Sequence, residues 1–68
     1  MKMKLWFNGE VIEMVDAISL EQLITYYQLV PHTIAVALNQ QIIPRSVWSQ
    51  QSLHDGDHID VFQAIAGG

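Results

Sequence analysis

Asn8-Gly9 stands between two short runs of alternating residues, and no other feature narrows the possible folds as far. Before it, Met3, Leu5 and Phe7 alternate with Lys2, Lys4 and Trp6, the period-2 signature of a half-buried strand. Asn-Gly accepts the positive φ values of a type I′ turn, so the chain is expected to fold straight back into a second strand over about Glu10 to Met14. Which residues of that second strand face inward is ambiguous from the alternation alone.

A helix start follows. Ser19 is placed as N-cap, Gln22 three residues on can reach back to complete a capping box, and Ile18 can pack on Leu23 as a hydrophobic staple. Leu20, Leu23, Ile24 and Tyr27 repeat at helical spacing and define one core face. Pro31 limits the helix to about ten residues, because the residue before a proline is pushed out of the α region. Beyond it, Ile34, Val36 and Leu38 alternate with Ala35 and Ala37 in a third strand. Asn39-Gln40 turns the chain into the short run Gln41-Ile42-Ile43, which Pro44 ends. Ser46 through Gln51 fit a single helical turn that tucks Trp48 against the core. Asp55-Gly56-Asp57 is a turn, after which Ile59 and Val61 point one way and Asp60, Phe62 and Ala64 the other.

Composition says what can hold this together. With 68 residues and no cysteine, the chain is a single domain, residues 1–68, that relies on its apolar core, and half its residues are hydrophobic against 15% charged. A formal charge of −4 has the wrong sign for gripping a phosphate backbone, so nucleic acid is not expected as a partner. The opening MKMKLWF lacks the apolar run of a signal peptide, and no stretch approaches the ~20 apolar residues of a membrane span. No membrane partner is expected, and a cytoplasmic location fits the absence of cysteine.

A hairpin, one helix and three further strands form an α+β layout, with the helix on one face of a mixed sheet of four to five strands. The economical solution is the β-grasp, the ubiquitin-like fold, in which the first and last strands lie parallel at the sheet centre. On that arrangement, residues 65–68 are expected to leave the body as a flexible Gly-Gly tail.

Across its whole length the chain resembles the small bacterial sulfur carrier proteins, most closely the ThiS family. The resemblance rests on Phe7-Asn8, on Asn39-Gln40-Gln41-Ile42-Ile43-Pro44-Arg45 followed by Trp48, on Asp55-Gly56-Asp57, and on Ile65-Ala66-Gly67-Gly68. The related small subunit of molybdopterin synthase usually carries prolines before its tail, where this chain has Phe62-Gln63-Ala64-Ile65. Ubiquitin typically has arginine before Gly-Gly, where this chain has Ala66.

The resemblance implies a role as protein co-substrate, not as an enzyme. An E1-like adenylating enzyme of the ThiF type would transfer AMP from ATP to the Gly68 carboxylate, and a sulfur nucleophile would displace AMP to leave a thiocarboxylate. A carboxylate with a pKa near ~3.5 is ionised at neutral pH and needs such activation. Lacking cysteine, the chain must take its sulfur from a protein donor carrying a persulfide, and the acceptor implied is a thiazole synthase of the ThiG type. ATP and magnesium belong to the adenylating partner, with no cofactor bound by this chain. Glycine at 67 and 68 leaves the carbonyl unshielded and the backbone free to enter a narrow channel. Ile65 and Ala66 complete the tail.

Docking on such partners requires a surface. If Met3, Leu5, Phe7, Ile59 and Val61 face the helix, Trp6 and Phe62 fall on the open face beside Ala35 and Ala37, as an apolar patch suited to an interface. The segment His54 to Asp60 gathers two histidines and three aspartates, but Asp-Gly-Asp is turn chemistry, and no metal site is assigned. No nucleophile stands beside a base, so no catalytic residue is named. Three alternatives remain open: a carrier for another pathway such as molybdopterin synthesis, a modifier joined to lysine ε-amines, and a β-grasp interaction module with inert glycines.

Overall fold

The computed structural model describes residues 2–15 and 17–63. Strands β1 (Met3–Phe7) and β2 (Glu10–Met14) form the expected hairpin, with Asn8 and Gly9 at φ values of 51° and 83°. Helix α1 (Leu20–Tyr26) follows, then β3 (Ile34–Leu38), β4 (Gln41–Ile42) and β5 (His58–Gln63). Two 3-10 turns, Pro31–Thr33 and Arg45–Gln50, connect them. The strands make one sheet in the order β2-β1-β5-β3-β4. β5 therefore lies at the centre, parallel to β1 and antiparallel to β3. This is the β-grasp arrangement that the pattern of elements implied.

Register settles the ambiguous second strand. Leu5 pairs with Ile12 and Met3 with Met14, which turns those four toward the helix, while Trp6 pairs with Val11 and Lys4 with Glu13 on the opposite face. Helix α1 covers the inner face with Leu20, Leu23 and Ile24, each at most 1% exposed. They close over Leu5, Val36, Leu38 and Ile59, and Trp48 and Leu53 seal the side. Trp48 is 2% exposed, and its indole N–H donates to the Ile43 carbonyl at 2.9 Å, which satisfies the polar atom that its burial would otherwise strand.

The capping box is present in full: Gln22 N–H donates to Ser19 Oγ at 3.2 Å, and Ser19 N–H to Gln22 Oε1 at 2.9 Å. The far end differs from expectation. Helix α1 has seven residues and stops at Tyr26, well before Pro31. Gln28 adopts a left-handed φ of 58°, its N–H donates to the Thr25 carbonyl, and the Leu29 N–H donates to the Ile24 carbonyl. Those two bonds make a Schellman stop, a role that glycine usually fills. Backbone bonds from Leu20 to Gln51 and from Leu53 to Ile18 then tie the helix start to the segment leading into β5.

Candidate functional site

The site is built around the end of β5. On the β3 side, β5 is paired throughout, from Leu38 with Ile59 to Ile34 with Gln63. On the other side β1 gives out at Phe7, opposite Ile59, because the chain turns away at Asn8-Gly9. From Asp57, just before β5, the odd-numbered residues aim their backbone groups at β1 and the turn that follows it: Trp6 N–H donates to the Asp57 carbonyl and Asn8 N–H to the Ile59 carbonyl, both at 2.8 Å. Val61 comes next in that series, where β1 has no backbone left to offer. Its N–H donates instead to the side-chain Oδ1 of Asn8, at 2.8 Å. From there the chain continues toward the glycines; Ile65, Ala66, Gly67 and Gly68, expected to form the tail and carry the reactive carboxylate, lie outside the described residues.

The two candidate docking residues are on the open face of the sheet. Trp6 is 37% exposed and Phe62 54%. Trp6 stacks on His58 with ring centroids 5.4 Å apart and planes 9° from parallel, and Phe62 stands opposite Ala35. The two aromatics do not form one patch by themselves. Trp6 is in register with His58, and Phe62 is four residues further along the same strand, roughly 13 Å away at the rise of a β-strand. Val11 and Ile42 extend the apolar surface, at 45% and 61% exposed. Val11 lies beside Trp6, and Ile42 is paired with Ala37. Neither was assigned from the sequence. Only the strand registers show that they share a face with Trp6 and Phe62, an exposed apolar group of the kind that marks an interface.

The His/Asp segment serves the turn that delivers β5. The Asp57 carboxylate accepts from His54 N–H at 2.8 Å and from Asn39 Nδ2 at 3.1 Å. Asp55 Oδ1 accepts from Lys4 N–H at 2.6 Å. Gly56 at a φ of 90° donates its N–H to the Lys4 carbonyl. His58 is taken up by Trp6, and among the described residues no three metal-ligating side chains converge. Arg45 donates to His32 Nδ1 and so ties the two 3-10 turns together. The polar hollow lined by Asn39, Gln40, His58 and Asp60 measures about 250 Å³, below the usual ligand-pocket range. A second hollow of about 500 Å³ lies at the opposite end of β1, lined by Lys2, Met3, Val15, Ala17, Leu53, His54 and Asp55. Neither sets a nucleophile against a base. Among the described residues no helix is long and apolar enough to cross a membrane.

Burial pushes the Tyr27 phenol above its ordinary pKa of 10.0, helped by the neighbouring Tyr26 and by Glu10. Tyr27 stacks on Phe7 with centroids 4.5 Å apart, which packs the helix end over the last residue of β1.

Known proteins with the same features place this arrangement. The crystal structure of a thiamine biosynthesis protein (ThiS) from Geobacter metallireducens superimposes with a TM-score of 0.83, covering 97% of this chain and all of that one at 23% identity, which is a likeness of fold. The sulfur carrier protein ThiS of Escherichia coli is 36% identical over 66 residues, 97% of this chain and its own full length. A thiazole synthase from Paramagnetospirillum magneticum is 32% identical over 66 residues, which make up 20% of that longer protein. The sequence model of the ThiS family matches residues 5–68, from the middle of β1 through both closing glycines, and the chain belongs to that family.

Proposed function

We propose that this chain is the sulfur carrier of thiazole formation in thiamin biosynthesis, with the Gly68 carboxylate as its reactive group. The observation that carries the reading is that the family match extends to Gly68, so the two glycines fall within the matched span. The full-length likeness to the Escherichia coli sulfur carrier supports it. A carboxylate oxygen attacks the α-phosphorus of ATP in an adenylating partner, pyrophosphate leaves, and the carboxylate becomes a mixed anhydride with AMP. A persulfide sulfur from a donor protein then attacks the carbonyl, and AMP departs with the electron pair of the broken C–O bond. A thiol releases the new acyl sulfur as a thiocarboxylate, taking the donor's sulfur into a disulfide. ATP and magnesium sit in the partner, and this chain supplies the acyl group.

Thiazole synthase is the acceptor we assign. Its support is the Paramagnetospirillum magneticum thiazole synthase that contains a matching 66-residue stretch, since joining carrier and acceptor in one chain raises their effective concentration. The docking surface is the open face with Phe62 and Trp6, extended by Val11 and Ile42. The test is intact-mass measurement after incubation with a ThiF-type enzyme, ATP, magnesium and a persulfide donor, beside a chain lacking Gly68. One oxygen replaced by one sulfur in the full chain alone is the expected result. Lysine-linked adducts would reassign the chain as a modifier, and an unchanged mass in a system that thiolates another carrier would overturn the proposal.

A further inference from the structure

β5 is pinned on both flanks by asparagines that occupy equivalent turn positions. Asn8 opens the β1–β2 turn and Asn39 the β3–β4 turn, each at a φ of 51°. Asn39 holds the beginning of β5: its N–H donates to the His58 carbonyl at 2.7 Å, and its Oδ1 accepts from His58 N–H at 3.0 Å. Asn8 holds the other end, through its N–H on the Ile59 carbonyl and its Oδ1 on Val61 N–H, a contact that spans 53 positions of sequence. Both work the same way. Where the flanking strand turns off, the carboxamide takes the place of the next backbone carbonyl and continues the ladder by one bond.

We infer that Asn8 is a positioning residue for the C-terminal segment: its carboxamide fixes the last stretch of β5, and so sets the place and direction from which the chain runs on to Gly68. This rests on the carrier reading above. After Phe7, β1 offers no further backbone, so without Asn8 Oδ1 the β1 side of Val61–Gln63 has no holder among the described residues, and β3 alone flanks it. Val61, Phe62 and Gln63 are the paired residues of β5 nearest the reactive end, and Val61 is the one of them held from the β1 side. A tail that must thread a partner's active site gains from a fixed origin, because a near-attack geometry is sensitive to small displacements of its anchor.

Turn chemistry makes the contact separable from the fold. Asn-Gly, Asp-Gly and Gly-Gly all suit a type I′ turn, so N8D keeps both turn and acceptor while N8G keeps the turn and removes the acceptor. N39G removes the equivalent clip at the start of β5 and reports what loss of a clip does without touching the exit. The experiment combines amide exchange by NMR with pyrophosphate release by a ThiF-type enzyme on the full chain. In N8G, Val61 exchange is expected to rise about fivefold relative to Leu5 and Val36, the factor carried by one net hydrogen bond. The kcat for the carrier should fall by about the same factor with KM within about twofold, since docking is untouched and only productive placement is lost. N8D and N39G should keep kcat near the starting value. Unchanged Val61 exchange in N8G overturns the clip, and equal kcat losses in N8G and N39G overturn the positioning role in favour of general loosening. If the unaltered chain releases no pyrophosphate while a known carrier does, the carrier reading itself fails and takes the tail role with it.

Discussion

Single residues separate what holds the molecule from what we propose to meet a partner. Phe62 is half exposed on β5 and stands opposite the small Ala35 across the ladder, so Phe62→Ala should cost less than about 1 kcal/mol of stability. The same change should raise KM for the adenylating partner about fivefold or more if Phe62 is an interface anchor, measured by pyrophosphate release beside a denaturation curve. Tyr27 faces the other way. Its phenol is held protonated above the unfolded value of 10.0, so its contribution is full below about pH 10 and is lost as pH rises through the higher folded value. Urea midpoints at pH 9 and pH 11 should therefore fall further apart in the unaltered chain than in Tyr27→Phe. Trp6 and Phe62 were legible as outward residues from alternation alone. Their separation was not, because it depends on which residue of β5 lies beside Trp6.

At the scale of elements, the starts of structures were easier to read than their ends. Asn8-Gly9, the Ser19 cap with Gln22, and Asp55-Gly56-Asp57 all carry distinctive local chemistry, and each stands where the sequence placed it. The helix stop did not announce itself, because glutamine has no special preference for the left-handed region that Gln28 occupies. Pro31 was the only visible breaker, and the true end precedes it. A residue with a Cβ costs about 1–2 kcal/mol in that conformation, and glycine returns roughly 0.5–1 of it as extra unfolded-state entropy. Gln28→Gly should accordingly stabilise the fold by up to about 1 kcal/mol, read as a higher urea midpoint at unchanged slope. Its side chain is exposed, so no packing is lost.

For the whole molecule, β5 is where the core and the proposed docking face share one strand. Ile59 is fully buried between helix and sheet, whereas Phe62, three residues on, is open to solvent. A chain of this size has about 3–10 kcal/mol of stability, and removing a buried isoleucine side chain costs about 2–5. Ile59→Ala should lower the melting temperature by at least about 10 °C, measured by circular dichroism, and should carry away sulfur acceptance as a consequence of unfolding. The sequence by itself determined the turns, the helix cap, the inward face of the periodic strands and the family pattern that closes on Gly67-Gly68, because each is carried by residues close together in the chain or by their identity. Only the tertiary structure decided that Leu53 is core, that Val11 and Ile42 join the open face, and that Asn8 clips Val61. Those facts depend on strand register between distant segments, which exists only once β1, β3 and β5 lie side by side.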